Sequence, residues 1–256
     1  MRDVVRIAAM ADLHCTKTSA GAFQSVFSRL GESADVLVLC GDLTDYGLPE
    51  EAKVLAKELS GVKLPKVGVL GNHDFESEVP AEVTQILADA GLVMLDGTAC
   101  EVEGVGFAGA KGFAGGFGTH ALQSWGEEPV KRFVHAALEE MLKLESSLAR
   151  LRTPQRFVLL HYAPVAATVV GEPLEIYPFL GSSRLEDPVN RFSATGVFHG
   201  HAHRGHPDGA TANGVPVYNV AMPLLQRTFP DQPPFRIVEV PMSAGGDVVK
   251  RADANK

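Results

Sequence analysis

Short apolar segments that end in polar side chains of one chemical type constrain the fold of this chain most strongly. The segments are rich in β-branched residues, have the length of buried strands and cover residues 4–10, 36–40, 67–70, 157–160, 196–198 and 215–220. The polar residues that follow the first five are Asp12 and His14, Asp42, Asn72, His73 and Asp74, His161, and His201 with His203. Because the carboxyl ends of strands in a layered α/β fold lie along one edge, we expect these side chains to meet in one crevice.

Helical patterns lie between these strands. Apolar residues at one-face spacing predict helices over 22–30, 79–90 and 129–151, and Pro49 followed by two glutamates is typical of another helix start. Strands that alternate with helices predict a layered α/β fold with a largely buried sheet. Short strand-like pieces over 92–107 indicate a second sheet or an antiparallel edge. We expect a single domain over residues 1–241 and a flexible C-terminal tail over 242–256.

Two segments carry little periodic signal. Residues 104–118 contain seven glycines in fifteen positions, which predicts a mobile surface loop for part of the segment. The spacing of Gly104, Gly106 and Gly109 matches the dinucleotide-binding fingerprint formally, but more glycine follows instead of the helix that this fingerprint requires. Residues 163–190 contain four prolines and are predicted to form a long loop near His161.

Charge and cysteine content narrow the possible partners and compartment. The formal net charge is −8, so no overall field would draw the chain along a nucleic acid or onto an anionic membrane. No apolar stretch reaches the roughly 20 residues of a membrane span, and the first apolar run is too short for a secretory signal. Cys15, Cys40 and Cys100 have no CxxC spacing, which predicts free thiols in a reducing compartment. We therefore expect a cytoplasmic protein with neither an extended nucleic acid nor a membrane as partner.

Seven of the residues at the strand ends carry oxygen or nitrogen donors and no sulfur. Two aspartates, one asparagine and four histidines suit Mn, Fe, Zn, Co or Ni better than Ca or Mg. Seven donors exceed the need of one ion, whereas one shared carboxylate would let them fill two four-ligand sites that keep open positions. The sequence thus predicts two divalent transition-metal ions, about 3.5 to 4 Å apart, a spacing suited to displacement at phosphorus.

The blocks D-x-H, G-D-x-x-D, G-N-H-D, a lone His and G-H-x-H follow one another between Asp12 and His203. In this order the chain resembles the calcineurin-like metallophosphoesterases. The resemblance implies an α/β fold, a four-layer α-β-β-α sandwich of two mixed β-sheets flanked by helices. It also implies two metal sites that share Asp42, with the ligands Asp12, His14, Asp42 and His203 in one and Asp42, Asn72, His161 and His201 in the other. His73 would then protonate the leaving group or stabilise transition-state charge, and Asp74 would orient His73.

Within this resemblance, residues 41–51 are similar to bacterial phosphodiesterases of the cyclic-nucleotide type. Phe75 and Glu76 follow the G-N-H-D block where protein phosphatases of the superfamily usually keep an arginine, which disfavours a phosphoprotein substrate. We expect a small soluble phosphodiester, a cyclic nucleotide being one such ester, hydrolysed by attack of a hydroxide that bridges the two ions. A phosphomonoesterase or nucleotide pyrophosphatase on the same site, and a non-catalytic metal-binding interaction scaffold, are alternatives. A homo-oligomer is left open.

Several other residues are candidates for a supporting or structural role. Asp45 either supports a metal ligand or caps the helix that follows. Tyr162, Arg184 and Arg204 are candidates for contacting a phosphate or a base. For Cys15 an inert packed thiol is favoured over a redox-sensitive one, and for His199 a structural role is favoured over a chemical one.

Overall fold

The computed structural model describes residues 3–241. The predicted tail at 242–256 lies outside these described residues. The strands are β1 Val4–Met10, β2 Val36–Cys40, β3 Lys66–Val69, β4 Leu92–Met94, β5 Thr98–Val102, β6 Val105–Gly109, β7 Arg156–Leu159, β8 Gly196–His199, β9 Asp208–Ala210, β10 Pro216–Asn219 and β11 Arg236–Pro241. The α-helices are α1 Gln24–Ser33, α2 Pro49–Ser60, α3 Pro80–Asp89, α4 Glu128–Leu148, α5 Tyr177–Leu180, α6 Glu186–Arg191 and α7 Met222–Thr228.

The strands form two mixed sheets. The first has the order β11-β1-β2-β3-β4, in which β1 to β4 are parallel and β11 is antiparallel to β1. The second has the order β5-β6-β7-β8-β10-β9, with β6, β7, β8 and β10 parallel and an antiparallel strand at each edge. The strand-like pieces expected over 92–107 therefore end the first sheet and open the second.

Three large apolar cores among residues 3–241 hold the layers together. Strand β1 shows how the layers arise, because its successive side chains point to opposite faces. Ala8 and Met10 lie in the core that the first sheet shares with α1, α2 and α3. Ile7 and Ala9 lie in the core between the two sheets, and the third core joins the second sheet to α4 and α6. The result is the predicted sandwich of two mixed sheets flanked by helices.

The two segments without periodic signal differ from their predictions. Residues 105–109 form β6, and much of the chain beyond it is buried; Ala110 and Ala114 belong to the core under α4. The prediction assigned a mobile surface loop to only part of this segment, and the structure shows strand or buried irregular chain over most of it. Glycines allow this burial because they let the backbone pack closely against its neighbours. Residues 163–190 are not one long loop, since they contain α5, α6 and several 3-10 turns. These helices are too short to show periodicity, and Pro178 lies in the first turn of α5, where proline is tolerated.

Two further observations concern the described part of the chain as a whole. Within residues 3–241, no helix combines the length and apolar character needed to cross a membrane. Cys15, Cys40 and Cys100 are free thiols, as predicted. Burial raises the pKa of Cys15 to about 12, which agrees with a packed, unreactive side chain.

Candidate metal centre and active site

The ends of strands from both sheets converge at one edge of the sandwich. The first sheet places Asp12 after β1, Asp42 after β2 and Asn72 after β3, and the second places His161 after β7 and His201 after β8. The two sets meet directly, because His161 Nε2 lies 2.9 Å from Asn72 Oδ1 although 89 residues separate them. All seven residues predicted as metal ligands lie in this one region.

The first group comprises Asp12, His14 and His203, whose candidate donor atoms lie within 4.8 Å of one another. Asp12 is buried, and its Oδ1 lies 3.0 Å from His203 Nε2. The backbone amide of His201 donates to both carboxylate oxygens of Asp12, at 3.1 and 3.0 Å. These contacts hold the carboxylate in place for a cation.

The second group comprises Asp42, His161 and His201, again with donor atoms within 4.8 Å of one another. Asp42 Oδ1 lies 3.3 Å from His161 Nε2. Its other oxygen, Oδ2, lies 3.8 Å from His14 Nε2 in the first group. One carboxylate therefore faces a histidine from each group.

Three histidines of these groups each donate one ring N–H to a protein oxygen. His161 Nδ1 donates to Cys40 O at 3.0 Å, and His201 Nε2 donates to Phe179 O at 3.2 Å. His14 Nδ1 donates to Asp45 Oδ1 at 3.1 Å. A neutral imidazole carries one N–H, so with that N–H held by a protein oxygen the second nitrogen of each ring is the one that would bind a metal ion.

Asp45 thus supports His14, one of its two predicted roles. The alternative role as a helix cap is wrong, because α2 has Leu48 at its N-cap, and Glu51 accepts from the Tyr46 and Leu48 amides.

Buried polar atoms at this edge fit a metal ion. His14 Nε2 is buried and has no hydrogen-bond partner within the described residues. Burial alone would raise the pKa of Asp42, but the charged ring of His161 outweighs burial and holds this pKa well below its usual range. Burial would lower the pKa of His161, whereas Asp42 raises it to about 9. Asp42 is therefore held in the ionised form that binds a cation.

The backbone at the ligands adopts conformations that side chains usually avoid. Asp12, His14, Asp42 and His201 have φ angles of 57°, 44°, 48° and 70°, four of the seven positive values at non-glycine residues in the described chain. Strain of this kind clusters at functional sites, where the surrounding structure maintains it.

Glycine allows the close approach of two ligands. A Cβ atom at Gly41 would lie 2.5 Å from His161 Nδ1, and one at Gly200 would lie 2.3 Å from Asp12 Oδ2. Each would clash with a residue from the other sheet. Gly41 and Gly200 in the sequence blocks are therefore needed to bring the two sheets' ligands together.

His73 lies beside the two groups with its ring half-exposed. Its backbone amide donates to Asp42 Oδ1 at 2.9 Å, and its ring centroid lies 4.6 Å from that of His14. Its Nδ1 donates to Asp45 O at 2.7 Å and lies 3.6 Å from Glu76 Oε2. Because Nδ1 carries the proton of the neutral ring, Nε2 can donate a proton only from the imidazolium form.

Asp74 does not orient His73, contrary to the prediction. Its fully buried carboxylate accepts from the amides of Gly71, Leu43 and Thr44 at 2.8, 3.2 and 2.8 Å, and from Thr44 Oγ1 at 2.6 Å. Asp74 therefore ties the loop after β3 to the loop that carries Asp42, and the carbonyl of Asp45 orients the His73 ring.

Of the remaining candidates, Tyr162 packs beside a predicted ligand and the others contact other protein groups. The Tyr162 ring lies 4.5 Å from the His201 ring and is buried. His199 has the structural role expected of it: both of its ring nitrogens have protein partners, and burial lowers its pKa to about 4. Arg184 donates to Leu122 O, and the exposed Arg204 donates its amide to Glu172.

Sequence reasoning missed Lys111. Its Nζ lies 5.0 Å from the ring centroids of Phe113 and Tyr162 and 5.5 Å from that of Phe75, and burial lowers its pKa. Its carbonyl accepts from the amides of His161 and Tyr162, at 2.9 and 3.2 Å. No local pattern marks this position, since Phe75 and Tyr162 come from distant segments.

Comparisons with known proteins identify the family of this fold. Comparison with curated proteins finds no match. Among solved structures, phosphopantetheinyl hydrolase from Mycobacterium tuberculosis is similar, with a TM-score of 0.66 and 17% identity over 91% of this chain and 95% of that chain. Protein TT1561 of Thermus thermophilus has a TM-score of 0.54 and 16% identity over 94% of this chain and 100% of its own. GAP50, the anchor in the inner membrane complex of Plasmodium, has a TM-score of 0.53 and 12% identity over 87% of this chain and 73% of that chain.

These structural likenesses establish the fold alone. The sequence itself matches the calcineurin-like phosphoesterases over residues 5–205, a span that contains every candidate ligand described above. With its clusters of candidate metal ligands, this chain belongs to the calcineurin-like phosphoesterase family and is a metal-dependent phosphoesterase.

Proposed function

We propose that this chain hydrolyses a small phosphodiester with two divalent transition-metal ions. The observation that carries the proposal is the position of Asp42, whose Oδ2 lies 3.8 Å from His14 and whose Oδ1 lies 3.3 Å from His161. A carboxylate between two donor groups suits a shared ligand of two ions. A single-ion site would leave one of the two groups without a function.

The seven donors divide between two sites. Asp12, His14, Asp42 and His203 would hold one ion, and Asp42, Asn72, His161 and His201 the other. Nitrogen and oxygen donors without sulfur favour Mn, Fe, Zn, Co or Ni. When bound, such ions activate water for attack and neutralise charge on the phosphoryl oxygens.

His73 supplies a proton or a hydrogen bond to the substrate in this proposal. Its Nδ1 is engaged by Asp45 O, so its Nε2 is the nitrogen free to meet the departing oxygen or a phosphoryl oxygen. Glu76 Oε2 lies 3.6 Å from the same Nδ1 and adds a negative charge on the side of the ring away from the substrate. His73 is thus the proposed catalytic residue of this chain outside the metal ligands.

Metal analysis combined with a substrate panel tests the proposal. We expect about two transition-metal ions per chain, turnover of bis-p-nitrophenyl phosphate, and loss of that turnover in EDTA with recovery on adding Mn or Zn. Preferential turnover of p-nitrophenyl phosphate would favour a phosphomonoesterase, and preferential turnover of ADP-ribose a pyrophosphatase. A folded chain that holds no metal and turns over no ester would favour the interaction scaffold.

A further inference from the structure

A cavity of about 820 Å³ lies beside the candidate metal centre. Its wall is formed by the end of the glycine-rich segment and the residues that follow it, from Gly115 to Leu122, by the first turns of α4, and by residues 174–179. Aliphatic and aromatic side chains dominate this wall, and no Lys, Arg, Asp or Glu lines the cavity within the described residues. Its volume lies in the range of pockets that enclose small organic molecules.

The cavity and the metal centre share one wall. Phe179 lines the cavity, and its carbonyl oxygen lies 3.2 Å from Nε2 of the proposed ligand His201. Tyr177 lines the cavity as well, and it packs against a small buried apolar cluster of Ala163, Val169, Leu180 and Ala202. Ala202 lies between His201 and His203 in the chain. The cavity is therefore the immediate neighbour of a molecule whose phosphorus sits at the metal centre.

Two large apolar side chains of the cavity wall are exposed to solvent, which is unfavourable for a surface that nothing covers. Leu174 is 74% exposed and Phe179 is 57% exposed, although both are large apolar side chains. Covering them with an apolar group removes their surface from water, whereas a polar base or a second phosphate would lose its hydration without charged partners in the wall. The chemistry of the wall thus matches an uncharged apolar occupant.

We propose that this cavity binds the organic group of the phosphoester substrate, and that this group is an extended aliphatic or aromatic one. The inference rests on the proposed function and deepens it, because it selects among small phosphodiesters. It favours esters of apolar alcohols over cyclic nucleotides, whose bases carry polar edges.

Two synthetic esters test this selectivity. Methyl p-nitrophenyl phosphate and octyl p-nitrophenyl phosphate have the same leaving group and differ only in the group that the cavity would hold. Each methylene that enters the cavity should raise kcat/KM roughly three- to fourfold. Burial of only two of the seven methylenes by which octyl exceeds methyl gives a preference of about tenfold, so the octyl ester should be preferred by at least that factor.

Two variants on α4 provide the matched comparison. Val130 lines the cavity, whereas Leu142 lies outside it and is 56% exposed on the same helix. Val130→Gln should lower the octyl-to-methyl ratio of kcat/KM at least about fivefold, because a polar amide replaces an apolar wall. Leu142→Gln should leave that ratio at the wild-type value.

Binding of octan-1-ol to the full chain gives a readout independent of turnover. We expect saturable binding, seen as shifts of the Val130 and Leu174 methyl resonances, and weaker binding to Val130→Gln. Equal kcat/KM for the two esters, or an equal ratio in both variants, would overturn the inference and leave the proposed function standing. Turnover of no ester would overturn the proposed function and the inference with it. A dimer that dissociates on Val130→Gln would assign the cavity to self-association and overturn the inference alone.

Discussion

The metal centre and the apolar cavity are neighbours across His201 and Phe179, yet they are built in opposite ways. The centre is made of side chains that directly follow buried strands, with positive φ angles at Asp12 and Asp42 and carboxylates that are almost fully buried. The cavity is made of the glycine-rich segment, short helical turns and the start of α4, with large apolar side chains left exposed.

Because the two regions are built differently, we expect each to determine a different property: the centre determines metal binding and turnover, and the wall determines which ester is preferred. Strand ends are rigid because the sheets on both sides hold them, and rigid positions suit a metal site whose donors must keep their geometry. The cavity wall is held by fewer regular elements, and its contact with a ligand is made by the backbone carbonyl of Phe179, so side chains of the wall can be changed without replacing a group that holds the centre. We therefore expect variants of the centre to affect metal and turnover, and variants of the wall to affect mainly the choice of ester.

The largest effect is expected for Asp42→Asn. An amide cannot supply two anionic oxygens, so both ions should bind at least about 10²-fold more weakly and turnover should fall below detection. His14→Ala should weaken mainly one ion. Isothermal titration calorimetry with elemental analysis distinguishes the two variants, and two normal sites in Asp42→Asn would show that the carboxylate is not shared.

A smaller effect, on turnover alone, is expected for His73→Gln. Loss of a proton donor should lower kcat by about 10²- to 10⁴-fold while both ions remain bound. The loss should be greater for a dialkyl phosphate than for bis-p-nitrophenyl phosphate, because p-nitrophenolate leaves without much protonation. His135→Gln, at an exposed position of α4, is the matched control, and metal loss in His73→Gln would contradict the proposed role.

For Asp74→Asn the expected effect is on stability. The amide would present an NH₂ group where the carboxylate now accepts from backbone amides, so the free energy of unfolding should fall by about 1–3 kcal/mol. Urea denaturation of the metal-free chain measures this change in the free energy of unfolding. Asp89→Asn, at an exposed helix end, should change stability by no more than about 0.5 kcal/mol. An Asp74→Asn variant as stable as this control would contradict the structural role.

The smallest effect is expected in the cavity wall. Leu174→Gln replaces a side chain that is 74% exposed, so the free energy of unfolding should change by less than about 0.5 kcal/mol. The number of bound metal ions, measured by elemental analysis, should stay that of the wild type. A loss of metal in Leu174→Gln would break the separation between wall and centre.

Much of the centre was predictable because each ligand directly follows a strand that its own apolar pattern reveals. Asp12, Asp42 and His161 are examples, and the structure does bring them together at one edge. The partners of Asp74 were not predictable, because Thr44 lies 30 residues away and nothing local indicates which amides a buried carboxylate will meet. The buried position of the glycine-rich segment was missed for a similar reason, since glycine signals backbone freedom and not the surface that the backbone contacts.

The sequence by itself determined the layered α/β class, the chemical type of the seven donors and their order along the chain. It could do so because strand periodicity and residue chemistry are local properties. Only the tertiary structure decided that Asp42 faces both donor groups, that His73 is oriented by Asp45 O, and that an apolar cavity adjoins His201. These relations depend on the distances between segments far apart in the chain, and packing of the two sheets, not any local pattern, sets those distances.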